Sequence, residues 1–147
     1  MKNKNGFTLI ELLAVIAIIG IISLIAIPNI VGLSIGVRKD NMLDDAKKLI
    51  SLAKSKINSN IELRLDPPKT FTMAELNVNG DIALDPDGGN YDQTNSTVTY
   101  RIIGNGTDGD IVDYCVTLIG SKRTIGSQAC ISESNLYSRS NVIDITE

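Results

Sequence analysis

From Phe7 to Ile27 the chain is apolar at almost every position, and one carboxylate, Glu11, interrupts the run. The run is 21 residues long. As a helix it spans about 31 Å, close to the hydrocarbon thickness of a bilayer. From Arg38 to about Arg64 the pattern changes. Met42, Leu43, Ala46, Leu49, Ile50, Ala53, Ile57 and Ile61 recur at helical spacing, and Asp44, Lys47, Lys48 and Lys54 fall mostly on the other side. Pro28 lies between the two stretches, where it withholds a backbone donor. The pattern predicts one long helix, kinked at Pro28, whose second half packs under a soluble domain. Asp66-Pro67-Pro68 ends it, because the residue before a proline disfavours helix.

Beyond Asp66 the periodicity is that of strands and turns. Residues 66–96 are rich in Asp, Asn, Gly and Pro and read as a loop. Inside it, Thr72-Met73-Ala74-Glu75 is a capping-box pattern that predicts a short helical turn before Gly80. Thr97 to Ile103 alternates, with Val98, Tyr100 and Ile102 on one face. Ile111 to Ile119 alternates too, with Val112, Tyr114, Val116 and Leu118 toward a core and Asp113, Cys115 and Thr117 on the other face. Near the second cysteine, Ala129 and Ile131 are expected inward and Cys130 outward. A two-residue turn at Lys122-Arg123 is poor hairpin chemistry, so a wider loop containing Gly120 and Gly126 is expected. A last short strand is expected from Asn141 to Ile145.

Composition narrows the function. The 147 residues make one domain's worth of chain, and much of the apolar content lies in the first 37. The net charge of −3 hides a gradient: residues 38–64 carry seven Lys/Arg against four Asp/Glu, and residues 66–147 carry five against twelve. An acidic body argues against a basic nucleic-acid surface. There is no histidine, which removes the commonest general base and metal ligand. Neither a Walker loop nor a dinucleotide fingerprint is present, so an enzyme is not expected. An even pair of cysteines, Cys115 and Cys130, in an exported domain favours a disulfide. The alternative is two thiols of a cytosolic protein.

The apolar run resists two simpler readings. A secretory signal peptide has an apolar core of about 7–15 residues and a small-residue cleavage site. This run is longer and carries Glu11. A plain membrane anchor explains the length but not an acid near one end, since intramembrane carboxylates usually have a functional partner. Lys2 and Lys4 precede the run and place the N-terminus on the cytoplasmic side.

Gly6-Phe7-Thr8-Leu9-Ile10-Glu11, behind the basic peptide MKNKNG, resembles the class III leader junction of type IV pilins and pseudopilins. The resemblance covers about the first 30 residues. It implies a membrane peptidase that cuts between Gly6 and Phe7 and methylates the new Phe7 amine. It implies, further, that Glu11 pairs with the Phe7 amine of a neighbouring subunit and so sets axial register in a helical filament. It also implies that the segment bracketed by Gly20 and Pro28 can melt in the filament. Some major pseudopilins hold calcium in a loop near residues 85–92, which makes Asp85, Asp87 and Asp92 candidate ligands. The stretch is not an EF-hand, since Asn90 stands where the loop glycine is required.

The expectation is therefore an α+β pilin-like lollipop: a long N-terminal α-helix, membrane-spanning in its first half, packed on a small antiparallel β-sheet of about four strands. Residues 1–6 are the leader, 7–37 the transmembrane and assembly half of the helix, and 38–65 its amphipathic half. Residues 66–147 are the head, with a loop over 66–96 and the sheet and disulfide region over 97–147. The resemblance implies a pilus subunit for adhesion, twitching motility, biofilm formation or DNA uptake. Its expected partners are copies of itself, the prepilin peptidase, a membrane platform protein, an assembly ATPase and minor pilins, with no cofactor. It would start in the cell membrane and end in an extracellular filament. The alternatives are a pseudopilin of a secretion or competence system and a membrane-tethered binding domain that does not polymerise.

Overall fold

The computed structural model describes residues 7–104 and 111–145, with side chains for all of these except 24–32. The leader with Gly6 and the side chain of Pro28 thus lie outside the described residues. The chain divides into two compact units, Met1–Val37 and Arg38–Glu147. Helix α1, Leu9–Asn58, contributes to both.

In the first unit α1 is apolar all round. Leu9, Ile10, Leu12, Ile16, Ile19 and Ile22 are all exposed. A helix that is hydrophobic on every side is a buried or membrane helix whose surroundings are not its own chain. The hydroxyl of Ser23 donates to the carbonyl of Ile19 at 2.8 Å, which satisfies it within the helix. Among the described residues no helix is long and apolar enough to cross a membrane. The described side chains of the apolar run end at Ser23, within the stretch that the sequence reads as a span.

The second unit is α+β, with a helix packed on a small antiparallel sheet. Residues 38–58 of α1 present one buried stripe, Met42, Leu43, Ala46, Leu49, Ile50, Ala53 and Ile57, none more than 4% exposed. The opposite face carries Asp44, Lys47 and Lys48 in solvent. The helix ends at Asn58, earlier than the expected 64–65. Asn60, extended, caps a new helix α2, Ile61–Leu65, by accepting the Glu62 N–H at 3.0 Å. The break resets the helical phase, and Ile61, expected in the stripe, is 70% exposed.

Among the described residues six strands follow, where about four were expected. They are β1 Lys69–Thr72, β2 Thr97–Ile103, β3 Ile111–Ile119, β4 Arg123–Ile125, β5 Ile131–Ser132 and β6 Val142–Asp144. Their order is β1-β2-β3-β4-β6, with β5 also paired to β3, and every pairing is antiparallel. Strand β3 is the axis. One edge pairs with β2 from Thr117 to Ile111; the other takes β5 at Cys115–Val116 and β4 at Leu118–Ile119. Helix α3, Met73–Leu76, starts with the expected capping box: Thr72 and Glu75 each bind the other's backbone N–H. β1 lies in the region read as loop; it is an edge strand whose Phe71 is buried and whose Thr70 hydroxyl meets that of Thr99 at 2.9 Å.

The core face of the sheet is Val98, Tyr100, Tyr114, Val116, Leu118, Ile125 and Val142, joined to the α1 stripe with Phe71, Met73, Leu76, Ile82, Tyr91 and Leu136. Tyr100 and Tyr114 face each other in register with ring centroids 5.6 Å apart. Ile102 and Val112, expected inward, pair at the open end of the hairpin and are 39% and 51% exposed. Cys115 lies on the face opposite the main core, yet it is fully buried. Its sulfur is bonded to Cys130 across a Cα–Cα distance of 5.4 Å, and its strand neighbours are Thr99 and Ser132. The expected positions beside Cys130 are also corrected: Ala129 is exposed and Ile131 is only partly buried. The expected wide loop is instead two reversals. Gly120 N–H bonds to Arg123 carbonyl at 2.8 Å in a tight turn over Ser121-Lys122. The chain reverses again at Gly126, whose φ of +72° and close approach to the Val116 carbonyl require glycine.

Ion pairs fix the head's segments to the helix. Asp87, with a side chain 3% exposed, pairs with Arg38 at 3.1 Å and with the buried Arg123. Arg123 also donates to Asp144 at 2.7 Å, and Asp144 pairs with Lys39 at 3.0 Å. This chain of charges ties α1, the loop, the β3–β4 turn and β6 together. Arg139 holds Asp40 through two bonds of 2.6 Å, and Lys54 holds Glu133 at 2.5 Å. Removing one partner of a buried pair leaves a charge without compensation and costs about 3–5 kcal/mol. Arg123→Ala should therefore lower the urea midpoint by an amount equivalent to about 3 kcal/mol. Adding Asp87→Ala to it should cost less than the two single losses summed. Strict additivity in that cycle would show that the pair is not coupled.

Candidate functional site

The start of α1 is the first candidate site. Phe7 and Thr8 precede the first helical residue, Leu9, and Phe7 is 91% exposed. The carbonyl of Thr8 accepts the first intrahelical bond, from Leu12 N–H at 3.3 Å. Glu11 Oε2 accepts the Thr8 backbone N–H at 2.8 Å and its hydroxyl at 3.0 Å, and Thr8 Oγ1 accepts the Glu11 N–H at 3.4 Å. This is a reciprocal capping box. This local use of Glu11 stands beside the intersubunit pair that the family resemblance implies. The signal was present, since Thr8-Leu9-Ile10-Glu11 has the spacing recognised at Thr72–Glu75. Both bonds from Thr8 to the carboxylate end on one oxygen, Oε2.

Gly20 and Pro28 both lie within α1, which is continuous through them in the single chain. Among the described residues, a side chain at Gly20 would meet nothing within 4 Å. Crowding by its own chain therefore does not explain this glycine.

The second candidate was the trio Asp85, Asp87 and Asp92. The structure commits each to a different task. Asp85 is buried and staples the loop to the β3–β4 turn. Its Oδ1 accepts the N–H groups of Asp87 and Gly89, both at 2.9 Å, and its Oδ2 accepts that of Ser121 at 2.5 Å. Gly89 is required there, because a Cβ would lie 2.5 Å from the Ser121 Cβ. Asp87 serves Arg38 and Arg123, as above. Asp92 caps the next turn by accepting Thr94 N–H at 3.0 Å and Asn95 N–H at 2.9 Å. Among the described residues, no group of three or more His, Cys, Asp or Glu side chains is placed to hold a metal ion. The acidic character of this loop serves hydrogen bonding within the head.

Residues 1–27 match a family model described as the prokaryotic N-terminal methylation motif. No curated protein and no solved structure matches the chain. The motif is the signal of type IV pilins and pseudopilins, so the chain carries at its N-terminus the signature of that structural family. It is a motif typical of membrane-anchored subunits that are later assembled outside the cell.

The carboxylates of the head make it acid-sensitive. Burial pushes the Asp85 carboxyl up, but the Ser121 hydroxyl and N–H, with the Gly89 and Asp87 N–H groups, outweigh it and hold the group below 3.8. Asp144 is held below 3.8 chiefly by Lys39, and Asp40 chiefly by Arg139. Such groups stabilise the fold above their unfolded value, and that contribution is lost as pH falls through the lower folded value. Asp45 has the opposite sign. Burial raises it against the bond from Tyr91 at 2.8 Å, so its protonation on acidification favours the fold. Asp66, Glu75 and Asp92 are lowered as well, and six depressed carboxylates against one raised predict a net loss of stability below about pH 4. The Gly89 and Ser121 amide resonances should hold their positions down to that range and then shift together. Asp85→Asn, which presents an amide donor to one of these N–H groups, should displace them at neutral pH.

Proposed function

We infer that this chain is the subunit of a type IV pilus, held in the membrane before assembly and polymerised through its N-terminal helix after processing. The observation that carries this reading is the methylation motif over residues 1–27 joined to a helix whose described side chains from Leu9 to Ile22, Glu11 apart, are apolar all round. A prepilin peptidase would cut at Gly6–Phe7 and methylate Phe7. A membrane platform protein and a cytoplasmic ATPase would drive assembly. Minor pilins would join the filament. In it, the Gly20–Pro28 segment would melt. The filament would serve adhesion, twitching motility, biofilm formation or DNA uptake. The disulfide-closed edge of the head, which suits an exposed surface, supports a pilus over a pseudopilus.

Glu11 would act between subunits by charge. With Oε2 on Thr8, its second oxygen would meet the Phe7 amine of a neighbour, and two opposite charges in an apolar bundle attract strongly. The capping use makes a sharper test possible, because glutamine also serves at this position of a capping box. Glu11→Gln keeps the cap and removes the charge; Glu11→Ala removes both. Both variants should reach the membrane, and both should lower filament yield by about tenfold or more, as an unpaired buried amine would remain. Electron microscopy of surface filaments, with the mass of the subunit in them, checks the reading as a whole. The expected species begins at N-methyl-Phe7. Full filament yield from Glu11→Gln would leave capping as the whole role of the carboxylate, and an intact leader in the filament would overturn the processing.

A further inference from the structure

We propose that Asn79 is a site of spontaneous covalent modification: the Gly80 backbone nitrogen attacks its side-chain amide, and the residue becomes aspartate or isoaspartate without an enzyme. The proposal goes beyond the filament reading and does not rest on it.

Residues 77–80 form a turn just after α3, closed by the Gly80 N–H, which donates to the Asn77 carbonyl at 3.0 Å. Val78 and Asn79 stand at its exposed tip. Among the described residues Asn79 is the one asparagine followed by glycine. That glycine matters twice. It holds a φ of +70°, which other residues rarely adopt, and with no Cβ it leaves its own nitrogen unshielded. A Cβ built there would meet nothing within 4 Å, so the space beside that nitrogen is open.

The reaction needs only the chain and water. The Gly80 nitrogen gives up its proton and bonds to Asn79 Cγ. The Cγ–Nδ2 bond breaks, and ammonia leaves with that proton. A cyclic imide remains, and water adds across one of its two ring C–N bonds. Opening on the Cγ side gives aspartate. Opening on the main-chain side gives isoaspartate, whose side-chain carbon then carries the backbone.

Nearby asparagines are held away from this chemistry. Asn77 Nδ2 donates to the Ile82 carbonyl at 2.6 Å, and its Oδ1 accepts the Ile82 N–H at 2.9 Å. Asn95 gives its amide to Asp92 at 2.7 Å and precedes the buried Ser96. The Asn77 clamp also restrains Asn79. It closes the loop from 77 to 82 and keeps in place the carbonyl that holds the Gly80 N–H, so the attacking nitrogen must first leave a bond. Folding therefore slows the reaction. The product in turn strains the clamp, because isoaspartate adds an atom to the main chain inside the closed loop. Ile82, only 3% exposed, is anchored by that loop.

The test ages the full chain in detergent micelles in mildly alkaline buffer and sequences the tryptic peptide Thr70–Arg101 by mass spectrometry. Residue 79 should gain the mass that replaces an amide by a carboxyl, with isoaspartate exceeding aspartate. Unfolding in urea should speed conversion about fivefold, and so should Asn77→Ala with its helix content checked by circular dichroism, since each loosens a hydrogen bond of ordinary strength. Asn79→Gln, whose larger ring closes far more slowly, should keep its mass. Conversion of Asn90 or Asn95 with Asn79 intact overturns the proposal. So does a folded chain that stays intact while the unfolded chain reacts. Equal rates in folded and unfolded chain would remove the restraint assigned to Asn77, and should Asn77→Ala lose its helix, that comparison decides the restraint alone.

Discussion

The head depends on one stripe of α1. From Met42 to Ile57 a single helix face supplies the surface against which the sheet, the long loop and the C-terminal segment all close. Burying a Met, Leu or Ile side chain contributes about 1.5–3 kcal/mol, so no other feature of the head offers as much at so small a cost in chain length. A sheet of short strands has little stability by itself. Laid on a preformed helix, it gains a second layer without closing on another sheet. On the other face of β3, Cys115 is fully buried with its sulfur bonded to Cys130, although its strand pattern reads it as outward.

Charge completes what apolar burial begins. The stripe fixes which face of the helix is covered, but a smooth apolar face does not fix where each loop lies along it. Arg38, Lys39, Asp40, Asp45 and Lys54 stand along α1 and meet Asp87, Asp144, Arg139, Tyr91 and Glu133 in turn. Most of these contacts are partly exposed and contribute little to stability individually. Their worth lies in position, because a slip of one helical turn would misplace all of them together. Asp87 and Arg123 are the exception. Both side chains are nearly buried, and each is the other's compensation. The basic helix and acidic head legible in the charge gradient are, in the folded chain, the two sides of this registration.

Legibility followed periodicity. Strands β2 and β3 have the predicted bounds, Thr97–Ile103 and Ile111–Ile119, because seven or nine alternating residues make a clear pattern. Thr72–Glu75 was readable because a capping box is a local code. β1, β4 and β5 are four, three and two residues long, too short for alternation to emerge, and their pairing is decided by tertiary contacts. Ile61 was misplaced because Asn60 breaks the helix with a cap, and phase does not survive a break. The calcium candidates illustrate another limit. Carboxylates that cap turns and carboxylates that bind metal look alike in sequence, and in the structure Asp85 and Asp92 accept backbone N–H groups.

Glu11 shows how a residue with an obvious special role can also have an ordinary one. Set in an apolar helix, a carboxylate demands a partner, and the family resemblance implies one on another subunit. The single chain offers one three residues away, in the Thr8 N–H and hydroxyl. The two uses do not compete, because both Thr8 bonds occupy the same oxygen and a carboxylate has four acceptor positions. Under the proposed processing they would also be ordered in time. An uncut chain would have no amine at Phe7, and the cap would give the charge its local partner. An amine exposed by cleavage would offer the stronger interaction, since it would be charged and the amide is not. A carboxylate held by local bonds beforehand could accept that partner without leaving an empty site behind, as the proposed assembly would require.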